Sequence, residues 1–373
     1  MNANKDRLNL SRRDFIKLLG VAGAAAGGGF LLDTYAPWVD YEKQTAAISK
    51  PFLQNTAKPA QILEMVRYAT LAANGHNTQP WKFAVKEDGI EIHPDYSRNL
   101  PVVDPNDREL WISLGCALEN LLVSAYAAGY IPEVTYPDES DFIHIRLSND
   151  TPQKNPLFDA IPVRQNTRSE FDGQAIKKND LDLVQGLPLE PGVKLHFVTN
   201  PTDLEKVEDY VYQGNLNQYA DDAFIDELIY WLRFNKKEAL ATNDGLYSVC
   251  SGNPAVPDWL GRLFVASTKP EQQADLDAKK LRSSAGAVVI ASELENKSAW
   301  VRTGQVYERL ALTLTTLDIK SAFLNQPIEV TDLRSQFQNA IGLGTALPQL
   351  LVRFGYAETM PRSLRRPVEQ VLF

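Results

Sequence analysis

Two long stretches with a wide apolar stripe at helical spacing constrain this chain most. Over residues 109–129, Leu110, Leu114, Leu118, Leu121 and Ala125 recur on one face, Ala117 and Leu122 widen it, and Gly129 stands where a helix ends. A stripe that wide belongs to a central helix. Over residues 300–317, Val306, Leu310, Leu314 and Leu317 repeat the pattern. Short strand-like runs surround each helix: 82–85, 89–94 and 142–147 about the first, 194–199, 287–291 and 347–356 about the second. The run 287–291 is apolar throughout, as in a strand covered on both faces. A chain of 373 residues with this pattern reads as an α+β protein in two halves, about 50–150 and 155–373, each built on one core helix.

Residues 1–33 stand outside that fold. Ser11-Arg12-Arg13-Asp14-Phe15-Ile16-Lys17, followed by a Leu/Ala/Gly run to Leu32, resembles a twin-arginine export signal. The run is shorter than the ~20 apolar residues that span a bilayer, and its glycines weaken any membrane helix. No clean small-x-small cleavage site follows, because Thr34-Tyr35-Ala36 is succeeded by Pro37. The resemblance implies the twin-arginine export machinery as a partner and a periplasmic or otherwise exported protein, soluble or tethered by its leader. That route carries folded proteins, often already loaded with a cofactor.

Net charge is −9, which excludes the basic footprint of a nucleic-acid binder. Cys116 and Cys250 form no metal spacing and read as two separate buried thiols. His93 and His144 read as strand residues with satisfied side chains, and no spacing among His76, His93 and His144 suggests a metal or a base. No Ser/His/Asp set or carboxylate pair stands out.

Three segments carry candidate chemistry. Asn74-Gly-His-Asn-Thr-Gln-Pro-Trp81 falls between a helical pattern and a strand, where Asn77 and Gln79 carboxamides, backbone amides and an indole can face a planar, polar-edged ligand. An ordinary Asn/Gly turn with a core tryptophan explains the same residues. Arg164-Gln-Asn-Thr-Arg168 offers two guanidinium forks suited to a phosphate, or a solvated face. Pro361-Arg-Ser-Leu-Arg-Arg-Pro-Val368 places three arginines within five residues of an acidic chain, or forms a solvated tail.

Taken together these segments resemble the nitroreductase family, and its Acg-like subgroup in particular. Residues 73–83 are similar to the family's Pro-Ser-x-x-Asn-x-Gln-Pro-Trp-x-Phe segment, with Ala73-Asn74 in place of Pro-Ser. Arg164 and Arg168 match the Arg-x-Ser/Thr-x-Arg opening, with Asn166 at the Ser/Thr position, and the arginines near the C-terminus match its basic segment. The resemblance implies FMN as cofactor. It assigns the phosphate to Arg164, Arg168, Arg365 and Arg366, the ring edge to Asn74, Asn77 and the Gln326 backbone amide, the ribityl or pyrimidine side to Asn166, and nearby positions to His76 and Gln79. The chemistry would rest on flavin N5, with no catalytic protein residue. Each half carries only part of the motif set, which implies a nitroreductase-like fold of two tandem degenerate halves, an intrachain pseudo-dimer with one composite site. Residues 221–280 would form a lid insertion. The activity implied is flavin-mediated reduction of a small electron acceptor, nitroaromatic or quinone, and a monomer is compatible with it. The alternative is an exported flavin-binding or sequestering protein without turnover.

Overall fold

The computed structural model describes residues 40–53, 57–137, 140–153 and 155–373. The export signal lies outside them. A short helix α1 (Tyr41–Ile48) precedes α2 (Lys58–Ala69), whose Pro59 occupies the first turn, where no amide partner is needed. The first half continues with β1 (Trp81–Val85), β2 (Gly89–Pro94), the core helix α3 (Arg108–Ala128), β3 (Tyr130–Thr135) and β4 (Ile143–Asn149). Gly129 ends α3 with φ of +87°, the left-handed conformation that stops a helix without a Cβ penalty. The four strands form one antiparallel sheet in the order β1-β2-β4-β3.

The second half begins with the short α4 (Pro156–Ala160) and α5 (Lys178–Gln185), then β5 (Val193–Val198) and the long α6 (Pro201–Ala220). The excursion that follows holds α7 (Asp222–Trp231), β6 (Leu232–Arg233), α8 (Lys236–Thr242), β7 (Leu246–Tyr247), α9 (Asp258–Ser267) and α10 (Pro270–Arg282). Then come β8 (Gly286–Ser292), the second core helix α11 (Lys297–Thr316), β9 (Lys320–Phe323), α12 (Gln326–Glu329), α13 (Thr331–Ala340) and β10 (Leu347–Gly355). The sheet order is β5-β8-β10-β9, again antiparallel, and every residue of β8 is buried, as its apolar run requires.

The two halves meet along α3 and α11. A Cβ on Gly115 would lie 2.0 Å from the Val301 carbonyl oxygen, and one on Gly304 would lie 2.0 Å from that of Ile112. Both glycines are therefore needed for the backbones to approach this closely. Leu114, Leu118 and Leu121 from one helix and Val306, Leu310 and Leu314 from the other share one apolar core. Among the described residues α3 alone is long and apolar enough to cross a membrane, and it is the buried centre of this core.

The C-terminal end of the chain crosses to the sheet beside α3. The last residues pair in parallel with β1, through Phe83 N–H to the Val371 carbonyl at 2.7 Å and Phe373 N–H to the Phe83 carbonyl at 3.1 Å. The second half thereby extends the first half's sheet. Cys116 and Cys250 are free and buried, as expected of two separate thiols. His93 bonds Glu91 at 2.9 Å and stacks on Phe142, a satisfied strand residue.

Candidate active site

The loop after α2 is built from unusual backbone. His76, Asn77 and Gln79 have φ of +46°, +55° and +54°, all in the left-handed region that side chains rarely adopt. Hydrogen bonds hold this shape. Asn74 Oδ1 accepts the Gln79 amide at 2.8 Å, and Asn77 Nδ2 donates to the carbonyls of Gly245 at 3.0 Å and Leu364 at 3.2 Å. Gly245 N–H returns a bond to the Asn77 carbonyl at 3.1 Å. Gln79, fully buried, donates to the Asn243 carbonyl at 2.9 Å and accepts the Arg366 amide at 2.7 Å. Strain of this kind persists only where surroundings over-determine it, and it concentrates at functional sites.

Facing the loop is a cleft of about 800 Å³, open solvent included, at the meeting of the two halves and the 246–251 segment. Its walls include Asn74 and Asn77 from the loop, Arg164, Asn166 and Arg168 from the start of the second half, and Arg362 and Arg365 from near the C-terminus. Six of the sequence-predicted residues, Asn74, Asn77, Arg164, Asn166, Arg168 and Arg365, are thus brought together from three distant segments. Ile48 and Ser49 just past the leader complete one side, and Leu246, Tyr247, Cys250 and Ser251 cover another.

The four arginines are held differently. Arg164 is buried, with Nε 2.8 Å from Glu308 Oε1 and Nη2 donating to the Leu71 carbonyl at 2.9 Å, while Nη1 is buried without a partner among the described residues. Burial works against its charge, yet Glu308 outweighs it and holds the guanidinium above its usual range. Arg365 donates to the Thr70 carbonyl at 2.9 Å, the Ala72 carbonyl at 3.2 Å and Asn77 Oδ1 at 2.8 Å, so it caps the end of α2 and braces the loop. Burial, then the neighbouring Arg164 charge, pushes its pKa down to about 9. The same two causes push Arg362 down to about 10, and its Nη1 bonds Ser49 Oγ at 2.6 Å. Arg168 makes one long bond, 3.3 Å, to Ser251 Oγ, and burial lowers its pKa. Among the described residues, Glu308 is the one carboxylate within ion-pair distance of these four arginines. The cleft is strongly cationic in an acidic protein.

Other expected residues lie differently. Arg366 turns away from the cleft. Its Nη2 donates to the Gln370 carbonyl at 2.6 Å, and its Nη1 is 3.9 Å from Asp95 Oδ2. These contacts, and the bond from its backbone N–H to Gln79 Oε1 at 2.7 Å, hold Arg366 on the side of the loop away from Arg365. Gln326 does not line the cleft. Its side-chain Nε2 donates to Asp277 Oδ2 at 3.0 Å, and it packs where a Cβ on Gly214 of α6 would clash. Gln79 is a clamp between segments and does not line the cleft. His76 also lies off the cleft walls, with Nδ1 buried and without a partner among the described residues. Burial, then the Arg168 charge, pushes its pKa down to about 4, so the ring is neutral at pH 7. Asn166 lines the cleft, and its Oδ1 accepts the Tyr307 hydroxyl at 2.9 Å.

Sequence reasoning missed Ser49 and Glu308, and it placed 246–251 within the expected lid excursion without naming the residues that reach the cleft. Glu308 sits inside a regular helical pattern, where a lone acid reads as a surface residue. Arg362 belongs to the basic run already singled out.

The segment over the cleft is pinned by ions. Asp244 is buried between Arg98, with which it pairs through Oδ2, and Arg233, whose Nη2 lies 2.6 Å from Oδ1. Both guanidiniums lie over the Trp231 ring, 5.4 and 6.0 Å from its centroid. Burial would raise the Asp244 pKa, but its hydrogen bonds to Thr242 and the arginines hold it below the usual carboxylate range.

A family model described as the TAT (twin-arginine translocation) pathway signal sequence matches residues 9–29. Over 353 residues the chain is 25% identical to "Putative NAD(P)H nitroreductase Rv3131" of Mycobacterium tuberculosis (strain ATCC 25618 / H37Rv), covering 88% of this chain and 96% of that protein. Over 330 residues it is 26% identical to "Putative NAD(P)H nitroreductase acg" of the same strain, covering 83% and 94%. Among solved structures, a nitroreductase with bound FMN from Desulfitobacterium hafniense DCB-2 aligns with 58% of this chain and 97% of its own, at 12% identity and a TM-score of 0.36. By sequence, then, the chain is similar over more than four-fifths of its length to nitroreductases of the Acg kind, and it carries a twin-arginine signal near its N-terminus, as its motifs led us to expect.

Proposed function

We propose that this protein binds FMN in the arginine-lined cleft and works as a nitroreductase-like oxidoreductase, passing electrons to a small nitroaromatic or quinone acceptor. The carrying observation is the charge of that cleft: four arginines meet there with one carboxylate partner, and that carboxylate serves Arg164. Desolvated guanidiniums are suited to bidentate binding of a phosphate. The residues present fit the group. Among the described residues Arg164 Nη1 is a buried donor without a partner and Arg168 has no carboxylate, and the Asn74 and Asn166 carboxamides line the same space. When bound, FMN supplies the electron transfer. Arg168 and Arg362 would hold the phosphate, Arg164 and Arg365 would set the field around it, and the strained loop would keep Asn74 and Asn77 at the rim.

On this reading one composite site serves the whole chain. The cleft draws on both halves, which supports an intrachain pseudo-dimer with halves at about 50–150 and 155–373. Segment 246–251, within the excursion 221–280, forms the lid. An exported protein meets little NAD(P)H, so the donor would be another reductant.

A second reading is an exported flavin-binding protein without turnover. The ion-pinned segment over the cleft favours it, because a closed cover suits retention.

The test is the visible spectrum of the protein purified without its leader, beside Arg168→Ala. A flavin spectrum in the parent is expected, with affinity in the variant lower by about ten- to a hundredfold, the worth of a charge-assisted hydrogen bond. Reoxidation of dithionite-reduced protein by a nitroaromatic or quinone supports the enzyme, and a reduced flavin inert to both supports the store. A colourless parent that also fails to take up added FMN overturns the proposal.

A further inference from the structure

The chain that follows the export signal forms part of the cleft. The signal match ends at residue 29, and α1 begins at Tyr41. Ile48 and Ser49, at the end of α1, line the cleft. Two contacts tie this short segment to the basic C-terminal run. The Tyr41 hydroxyl donates to the Arg362 carbonyl at 2.6 Å, and Arg362 Nη1 donates to Ser49 Oγ at 2.6 Å. Tyr41 is buried against Tyr247, with ring centroids 4.9 Å apart, and its hydroxyl lies 3.7 Å from Cys250 Sγ. The segment therefore touches both the arginine wall and the cover of the same cleft.

The local balance makes this docking responsive. α1 has eight residues, and its outer face, including Glu42, Lys43 and Gln44, is exposed. A helix this short holds its shape through tertiary contacts and not through its own hydrogen bonds. The wall it rests on carries Arg362 near Arg164 and Arg365, like charges that oppose one another while the cleft lacks an anion. An anion in the cleft removes that opposition, so Arg362 stays turned inward and its bonds to Tyr41 and Ser49 persist. Linkage is reciprocal: whatever the ligand adds to docking, docking adds to the ligand's affinity.

We infer that residues 41–49 are a clasp that docks more firmly when the cleft holds its anionic ligand, so that occupancy of the cleft is transmitted to the chain joined to the export signal. The ligand class is a phosphate-bearing cofactor, and this inference rests on the functional reading above. A protein loaded before export would then present its signal from an ordered base, whereas an empty one would present it from a loosened base.

The experiment uses the full chain with and without FMN at a hundred times its Kd, followed by hydrogen exchange of the amides of residues 41–50 and by trypsin cleavage after Lys43. Flavin absorbance in the same samples reports binding. Exchange and cleavage are expected to slow with FMN, approaching a hundredfold where opening of the clasp must precede them and abolishes binding. Tyr41→Phe keeps the ring against Tyr247 and loses the bond to Arg362. It is expected to raise the FMN Kd about two- to tenfold and to blunt the protection. Bound flavin with unchanged exchange, or an unchanged Kd in Tyr41→Phe, overturns the clasp while leaving the site intact. Absence of bound flavin overturns the functional reading and the clasp with it.

Discussion

Glu308 is the buried carboxylate on which the cleft's charge balance turns. Its side chain is 0% exposed and that of Arg164 is 3% exposed, with 2.8 Å between Oε1 and Nε. Glu308 Oε2 also accepts the Ala73 amide at 3.2 Å, which fastens the start of the strained loop to α11. Glu308→Ala therefore strands two buried groups at once, a guanidinium and a backbone N–H. Breaking a buried ion pair from one side costs about 3–5 kcal/mol, most of it the charge left without a partner. Urea unfolding followed by tryptophan fluorescence should show a loss of that size. The double variant Arg164→Met/Glu308→Leu, which removes both charges and keeps volume, should recover most of it, because buried pairs exchanged for apolar residues are close to neutral. A loss below about 1 kcal/mol in the single variant, on the scale of an exposed pair, would refute the reasoning. So would a double variant as unstable as the sum of its singles.

His76, with its pKa lowered from 6.5 to about 4 by burial first and by Arg168 second, binds fewer protons folded than unfolded across that window. Its contribution to stability is complete above pH 6.5 and is lost as pH falls towards 4, by up to about 3 kcal/mol. His76→Gln should remove that part of the acid sensitivity in unfolding curves at stepped pH, and an unchanged slope would contradict it. Asp244→Asn leaves Arg98 and Arg233 without their carboxylate, so amides of Leu246–Tyr247 and Ser248–Ser251 should exchange at least tenfold faster; exchange at the parent rate would show that the ion pairs do not pin the cover.

What could be read from sequence followed from how strongly each pattern depends on local physics. The core helices α3 and α11 were legible within three residues because a wide apolar stripe has one stable use, and Gly129 marked its own stop. Strand β3 was not. Its burial alternates with exposed Ile131, Glu133 and Thr135, and Pro132 sits within it, a pattern tolerated because β3 is the edge of its sheet. Edge position is a tertiary fact. The same holds for residues 371–373, whose pairing with β1 depends on a partner strand in the first quarter of the chain.

The site divides along the same line. Motifs located Arg164, Asn166, Arg168, Asn74, Asn77 and Arg365, and all six line one cleft. Residue type alone, however, did not reveal how much of each side chain was already committed. Arg365 spends its donors on the carbonyls closing α2 and on Asn77, and Arg164 is paired with Glu308, whereas Arg168 and Arg362 rest on single hydroxyls. A guanidinium that bonds one hydroxyl keeps its other donors for a phosphate oxygen, whereas one committed to carbonyls or to a buried carboxylate has fewer left. The arginines most available to a ligand are therefore the two with the weakest internal ties, and one of them is held by the chain just past the export signal. A motif can identify the cationic segments, but the competition among carbonyls, carboxylate and hydroxyls decides which guanidinium donors stay uncommitted, and that competition exists only once the distant segments have met.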